Sequence, residues 1–297
     1  MISYLGEIAA MGTALCWSFG SIFFTISSRR LGYSLVNRMR LAVALVLLIL
    51  AHLITHGRFF PVEITGYHWF WFGLSGIIGF AIGDMLLFKA FVMLGARVAM
   101  LLMALVPVFG VIIAWIFLGE KLSLTELLAI SIVIAGIIWV VSERKNNEHP
   151  RDHYIIGILC GVGGALGQAL GLILSKKGLG SDYSALSGNI IRVLVATCVL
   201  WSITLIRGRI RSTVKQLSDI RGVAALSGGA FCGPFLGVWL SLVAVQNTYV
   251  GIASTLMALP PIFLIPLSHW IFKEKISLGA IIGTIVAVIG VSLIFLL

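Results

Sequence analysis

The chain of 297 residues is 60% hydrophobic and only 11% charged, a balance outside the range of soluble globular domains, so lipid has to solvate most of its surface. Its formal charge of +10 comes from Lys and Arg residues placed singly or in short clusters between apolar runs, which suits lipid headgroups and topology signals and argues against a nucleic-acid partner. Cys16, Cys160, Cys198 and Cys232 each lie inside an apolar run without CxxC spacing, so neither a disulfide framework nor a zinc site is indicated.

A hydrocarbon core calls for roughly 20 apolar residues per helix, and runs of that kind fall near 5–27, 36–55, 67–93, 98–118, 123–142, 154–175, 185–206, 222–245, 249–272 and 277–296. The first has no basic segment before it and no small-residue cleavage site after it, and is expected to be retained, not removed as a signal peptide. It carries Glu7 near its start, where the helix dipole alone favours a carboxylate, and Trp17 as a candidate cavity aromatic. The second carries Arg40 just inside its beginning, able to meet an anion or a headgroup, and ends on His52 and His56. Those histidines share a helical face, but no HExxH pattern accompanies them and no metal site is expected.

The third run contains Asp84, between Gly83 and Met85, where an ionised carboxylate is expensive unless paired, hydrated or protonated. Lys89 follows five positions later, about 140° around a helix, so the two make no same-face pair. Lys89 can also snorkel toward the helix end. The fourth and ninth runs contain Pro107 and the pair Pro260-Pro261, with Pro266 beyond; each proline removes a backbone hydrogen bond in mid-membrane, and the freed carbonyls can serve a ligand or be satisfied by neighbouring helices. Very short polar turns, Gly119-Glu120-Lys121-Leu122 and Lys273-Glu274-Lys275-Ile276, join these runs to the fifth and tenth.

Gly163, Gly167 and Gly171 in the sixth run, Gly229, Gly233 and Gly237 in the eighth, and Gly79 and Gly83 in the third recur at four-residue spacing, giving small faces for close helix contact. The cluster around Gly161 and Gly163 is no dinucleotide fingerprint, because Leu166 stands where GxGxxG needs a third glycine. Gln168 in the sixth run is a candidate polar cavity group, and Arg192 in the seventh matches Arg40.

Laid over one another, the two halves repeat. Ala99, Leu102, Met103, Ala104, Leu105, Pro107, Phe109, Glu120, Lys121, Ser123, Leu124 and Gly136 recur 154 residues later as Ala253, Leu256, Met257, Ala258, Leu259, Pro261, Phe263, Glu274, Lys275, Ser277, Leu278 and Gly290. Earlier in the halves the offset is slightly smaller: Asn37 and Arg40 match Asn189 and Arg192, and Gly6, Gly12 and Gly20 match Gly157, Gly163 and Gly171. A small insertion in the eighth run accounts for the drift. Arg40 and Arg192 occur in both copies, whereas Asp84 and Lys89 face Val238 and Val243, which marks the unpaired charges as candidates for substrate or proton handling.

Five runs per copy is an odd number, so the second copy must enter the membrane upside down relative to the first. The expected architecture is therefore all-α and integral to the membrane, with ten transmembrane helices as two inverted five-helix repeats: residues 1–142, a polar linker 143–153, and residues 154–297. Basic residues concentrate after odd-numbered runs, among them Arg29, Arg30, Arg97, Arg144, Lys145, Arg207 and Lys273. The positive-inside rule then places those connections in the cytoplasm and both termini outside.

The motif Ala99-x-x-Leu102-x-x-Leu105-x-Pro107 running on to Gly119-Glu120-Lys121-Leu122, and its copy from Ala253 through Pro261 to Lys273-Glu274-Lys275-Ile276, resembles the EamA domain of the drug/metabolite transporter superfamily. The resemblance covers nearly the whole chain as two such repeats. It implies ten helices around a central cavity and transport, often export, of amino acids, other metabolites or drugs. It also implies cytoplasmic termini, against the charge count, and Lys273 departs from Gly119 in the first copy.

The function expected is secondary active transport, as an exporter of small metabolites such as amino acids or drug-like compounds, by alternating access in an inner or plasma membrane. No P-loop or other nucleotide motif is present, so a gradient of a coupling ion such as H+ would drive it, with no cofactor. The rivals are a membrane-embedded enzyme, which needs acids, histidines or a nucleophile clustered at one interface, and a channel, which needs repeated polar rings or filter-like loops. The sequence supplies neither pattern.

Overall fold

The computed structural model describes residues 4–61, 64–118, 123–143, 151–179, 183–208, 210, 213, 216–248 and 250–296, and among these the regular structure is all helical. The expected turn Gly119–Leu122, the polar stretch around Asn146, and Arg144 and Lys145 of the charge count lie outside the described residues. Helices cover every apolar run: Leu5–Leu31, Tyr33–His56, Gly66–Leu94, 96–118, Leu124–Ser142, Arg151–Leu179, Ala185–Ile206, 220–247, 250–272 and Leu278–Leu296. They are referred to below by their order in the chain. Eight helices among the described residues are long and apolar enough to cross a membrane, and Pro260–Phe272 and Leu278–Ile294 are shorter apolar helices. The sixth helix starts at Arg151, earlier than the expected 154, and so takes in the end of the proposed linker.

Short polar signals punctuate the apolar runs. Gly32, at φ +83°, turns the first helix directly into the second, and Gly95, also at φ +83°, turns the third into the fourth; both sit in backbone space that a side chain would strain. Ser123 caps the fifth helix in a reciprocal box, accepting from the Glu126 amide at 3.1 Å while the Glu126 carboxylate accepts from the Ser123 amide at 2.7 Å. Its repeat equivalent Ser277 accepts from the Ala280 amide at 3.1 Å.

The third and eighth helices each contain a π-helical stretch at matching positions, Gly76–Gly83 and Phe231–Gly237, followed at once by Asp84 and Val238. Such local widening of the helix is frequent at functional sites. The fourth and ninth helices are broken at matching positions, after Leu102 and after Met257. Around the breaks the backbone tightens to three-residue spacing: the Ala104 amide donates to Leu101 O at 3.0 Å and the Ile262 amide to Leu259 O at 2.9 Å. Pro107 follows the first break, and Pro260 and Pro261 open the helix after the second, where a missing N–H costs least.

In lipid, apolar surface alone gives little drive for helix association, and small residues that permit close backbone packing carry much of it. The glycines do this here. A Cβ on Gly167 would lie 2.8 Å from Gly83 Cα, and one on Gly171 would lie 3.0 Å from Gly79 Cα, so the sixth helix lies backbone to backbone on the third. In the repeat-related contact between the halves Gly20 faces Gly233 and Gly12 faces Leu240, which sets the first helix on the eighth. The fifth and tenth helices meet at Gly136 against Ala287, Gly290 against Val133, and Gly283 against Val140. Residue numbers rise along one helix as they fall along the other, so this pair is antiparallel. The second and seventh helices are antiparallel by the same test, with Arg38 near Thr204 and His52 near Ser187.

Large apolar side chains left on the outside, such as Ile54, Ile206, Leu124, Leu278 and Trp270, suit a lipid-facing surface. The first and seventh connections meet where Arg30 pairs with Asp219 at 2.7 Å, and the third and ninth where Arg97 pairs with Glu274 at 3.5 Å.

Candidate functional site

A cavity of about 490 Å³ lies between the two halves, a size that accommodates a small metabolite. Trp17, Arg40, Asp84 and Pro107 reach it from the first half, and Gln168, Arg192, Val238, Pro260 and Pro261 from the second. Most of the wall is apolar and aromatic, from Phe24, Phe72, Phe80, Phe88 and Phe91. Among the described residues the charged groups lining it are Arg40, Asp84 and Arg192.

One wall of the cavity is a closed network. Arg40 forms an ion pair with Asp84 through Nη2 and also donates to Asn37 Oδ1 from Nε at 3.2 Å and Nη2 at 3.1 Å. The Gln168 amide donates to the other carboxylate oxygen of Asp84 and to Gly79 O at 3.3 Å. Asn37 in turn donates to Phe80 O at 3.1 Å and Ala81 O at 3.2 Å. The π-helical turn thus presents Gly79, Phe80 and Ala81 carbonyls to side chains of the second and sixth helices. The Arg40 guanidinium also lies 4.8 Å from the Phe88 ring and 5.6 Å from Phe24, a cation–π setting that stabilises a buried cation. Asp84 and Arg40 are both buried, where a lone charge would be costly and a fully hydrogen-bonded pair is tolerable.

The wall related to it by the repeat is open. Arg192 lies 4.5 Å from the Phe80 ring, its Nε has no hydrogen-bond partner, and no carboxylate of the described residues pairs with it within 4.0 Å. Asn189 is 4% exposed, and both its amide nitrogen and its amide oxygen lack partners. Val238 stands where the first half has Asp84, and Trp17, packed on Gly237, stands where the second half has Gln168.

Of the residues singled out from sequence, Asp84, Arg40, Arg192, Gln168, Trp17, Pro107, Pro260 and Pro261 converge on this cavity, while Lys89 and Glu7 are not among its lining residues. Glu7 accepts a hydrogen bond from the Thr248 hydroxyl at 2.7 Å near the start of the first helix. His52 contacts Arg58 O at 2.7 Å and the Ser187 hydroxyl at 3.3 Å, and no metal-binding group of three His, Cys, Asp or Glu occurs among the described residues. Sequence reasoning passed over Phe80, Asn37 and Asn189 as site residues. The duplicated Asn-x-x-Arg spacing, Asn37 with Arg40 and Asn189 with Arg192, was the available signal.

A multi-pass bundle of apolar helices closing on an apolar cavity with a buried polar wall is the construction of a small-molecule membrane transporter. The chain belongs to the EamA-like transporter family, whose model matches residues 4–142 and again 155–296. That makes it a transporter and not an enzyme. It is 34% identical to Protein LicB of Haemophilus influenzae over 145 residues, 47% of this chain, and spans about half of that protein's length (46%). It is 25% identical to an uncharacterized transporter of Clostridium kluyveri over 232 residues, 77% of this chain and 73% of that protein. A solved protein structure of similar fold, at 13% identity, superposes with a TM-score of 0.60 over 99% of this chain and 96% of its own.

Proposed function

We propose that this protein is a secondary active transporter that exports small metabolites, amino acids or drug-like compounds among them, across an inner or plasma membrane by alternating access. The observation that carries the reading is a cavity walled by equivalent elements of two halves whose matching helices pair antiparallel. Ten spans arranged as two inverted repeats, residues 1–142 and 154–297 joined by the linker 143–153, account for that pairing. Two such halves can exchange conformations and so open one site to either side. The glycine contacts between the first and eighth helices, and between the third and sixth, provide smooth surfaces for the relative movement. A coupling ion such as H+ supplies the drive. The basic end of the bundle, with Arg29, Arg30, Arg97 and Lys273, faces the cytoplasm by the positive-inside rule, which puts the termini outside.

Purified protein in liposomes tests the proposal. Saturable uptake with counterflow is expected for at least one member of a mixed metabolite pool. Uptake that rises linearly with concentration and shows no counterflow would overturn it in favour of a channel. Accessibility tags at the amino terminus and at Asn146 test the repeat inversion: labelling from the same face of the membrane would sink it.

A further inference from the structure

The two walls of the cavity are the same device built twice, with two parts, an acid and an amide, left out of the second. In the first half the Asn-x-x-Arg pair, Asn37 and Arg40, holds the carboxylate of Asp84, and Gln168 completes the set. In the second half Asn189 and Arg192 have no acid, because the equivalent position is Val238, and no amide, because the equivalent of Gln168 is Trp17. The equivalence is structural as well as sequential: Gly233 faces Gly20 as Gly79 faces Gly171. Among the described residues lining the cavity the charged groups are Arg40, Arg192 and Asp84, an excess of one guanidinium, and Asp84 makes its ion pair with Arg40 while its charge reaches Arg192 only at longer range. Asn189, buried with both amide atoms unsatisfied, and the unpartnered Nε of Arg192 mark where the missing partner belongs. A buried polar side chain left without partners is costly.

We propose that Arg192 and Asn189 form a subsite for an oxyanion group of the transported molecule, a carboxylate or a phosphate, which takes the place that Asp84 fills in the other half. A guanidinium offers a planar fork of donors suited to either group, and the Asn189 amide can donate to a second oxygen. The rest of the ligand then lies in the apolar and aromatic part of the cavity, against Phe72 and Trp17. This assignment rests on the transport reading for its purpose but not for its detection.

The test is equilibrium binding to the purified full chain, read as thermal stabilisation. Three probe sets are used: small carboxylates beside their methyl esters, inorganic phosphate and simple phosphomonoesters beside the parent alcohols, and tetramethylammonium as a cation. Saturable stabilisation by one of the two oxyanion sets is expected, and the set that responds names the group. Its neutral partners should be silent. Arg192→Gln should weaken that binding by about tenfold or more, the loss expected for a hydrogen bond to a charged group. Val238→Asp should do the same by supplying the acid internally, whereas Val238→Asn keeps the size and polarity without the charge and should retain binding, which separates the effect from misfolding. Equal binding of acids and esters, binding by the cation alone, silence of both oxyanion sets, or undiminished binding in Val238→Asp would overturn the subsite. Oxyanion binding without counterflow in liposomes would leave the subsite standing and remove the transport reading; counterflow unaffected by Arg192→Gln would do the reverse.

Discussion

Arg40 and Arg192 occupy equivalent positions in the two halves and share one aromatic ring, their guanidinium carbons 5.9 Å and 4.5 Å from the centre of Phe80, yet only Arg40 is held by a carboxylate. The asymmetry goes with two differences between the copies, Asp84 in the third helix against Val238 in the eighth and Gln168 in the sixth against Trp17 in the first. One arginine of the duplicated pair is therefore tied to the carboxylate, while the other stands on the Phe80 ring with no carboxylate of the described residues within 4.0 Å.

The ion pair can be separated from transport by a double change. Asp84→Asn leaves Arg40 buried without a counter-charge, and removing one member of such a pair costs about 3 kcal/mol or more. The thermal midpoint in detergent should fall, and transport should be lost or uncoupled. Arg40→Met combined with Asp84→Leu removes both charges and should recover much of the midpoint while transport stays absent. A single variant with an unchanged midpoint and an unchanged pH profile of transport would remove Asp84 from the site.

Helix contact beside the site should be intolerant of one methyl group. Gly167→Ala places its Cβ 2.8 Å from Gly83 Cα, backbone and not a flexible side-chain end. The sixth helix must then move off the third, at a cost of about 1–3 kcal/mol, and carry Gln168 away from Asp84. Uptake in liposomes should drop together with the thermal midpoint. Gly66→Ala, where an added Cβ meets nothing within 4 Å, serves as the comparison and should change neither.

At the basic end of the bundle, Asp219 caps the eighth helix, accepting from the Arg221 and Gly222 amides at 3.2 Å each. The hydrogen bonds from Arg30 and then from these amides hold its carboxyl below the ordinary carboxylate value. A carboxyl lowered on folding contributes stability that is complete above its unfolded pKa, about 3.9, and is lost as pH falls through the lower folded value. The thermal midpoint of Asp219→Ala should therefore lie below that of the parent at neutral pH, and the gap should close only below about pH 4. A gap that persists unchanged in acid would mean that Asp219 acts without its charge.

Lys89, a charge present in one copy only, and Gln168, a polar group in an apolar run, are both site candidates from sequence, and the fold separates them. Gln168 touches Asp84, whereas Lys89 is not among the residues lining the cavity. Gln168→Leu should reduce transport substantially, while Lys89→Met should leave it within about twofold, as expected of substitutions outside special contacts. Initial uptake rates measured at matched protein incorporation decide it; loss of activity in Lys89→Met would return that residue to the site.

The apolar runs made the helices legible because lipid obliges each crossing to be apolar and internally hydrogen-bonded. Both the second helix, expected over 36–55 and found over Tyr33–His56, and the seventh, at 185–206, follow from that constraint alone. The breaks in the fourth and ninth helices were legible too, because Pro107, Pro260 and Pro261 lack the donor a continuous helix needs. Local composition gave no sign of the π-helical stretches Gly76–Gly83 and Phe231–Gly237. In the first of them the side-chain amides of Asn37 and Gln168, from other helices, donate to the Gly79, Phe80 and Ala81 carbonyls that the widened turn exposes.

The sequence by itself determined that the chain is a duplicated, lipid-solvated helical protein and that Asp84 is an unusual residue. Only the tertiary structure decided what Asp84 touches, because its partners Arg40 and Gln168 lie 44 and 84 positions away along the chain. A carboxylate in an apolar run reads as an unpaired charge until folding brings its counter-ion to it. Conversely Arg192, which the repeat made look like one half of a shared scaffold, stands on the Phe80 ring with no carboxylate of the described residues within 4.0 Å, since pairing is a property of space and not of spacing.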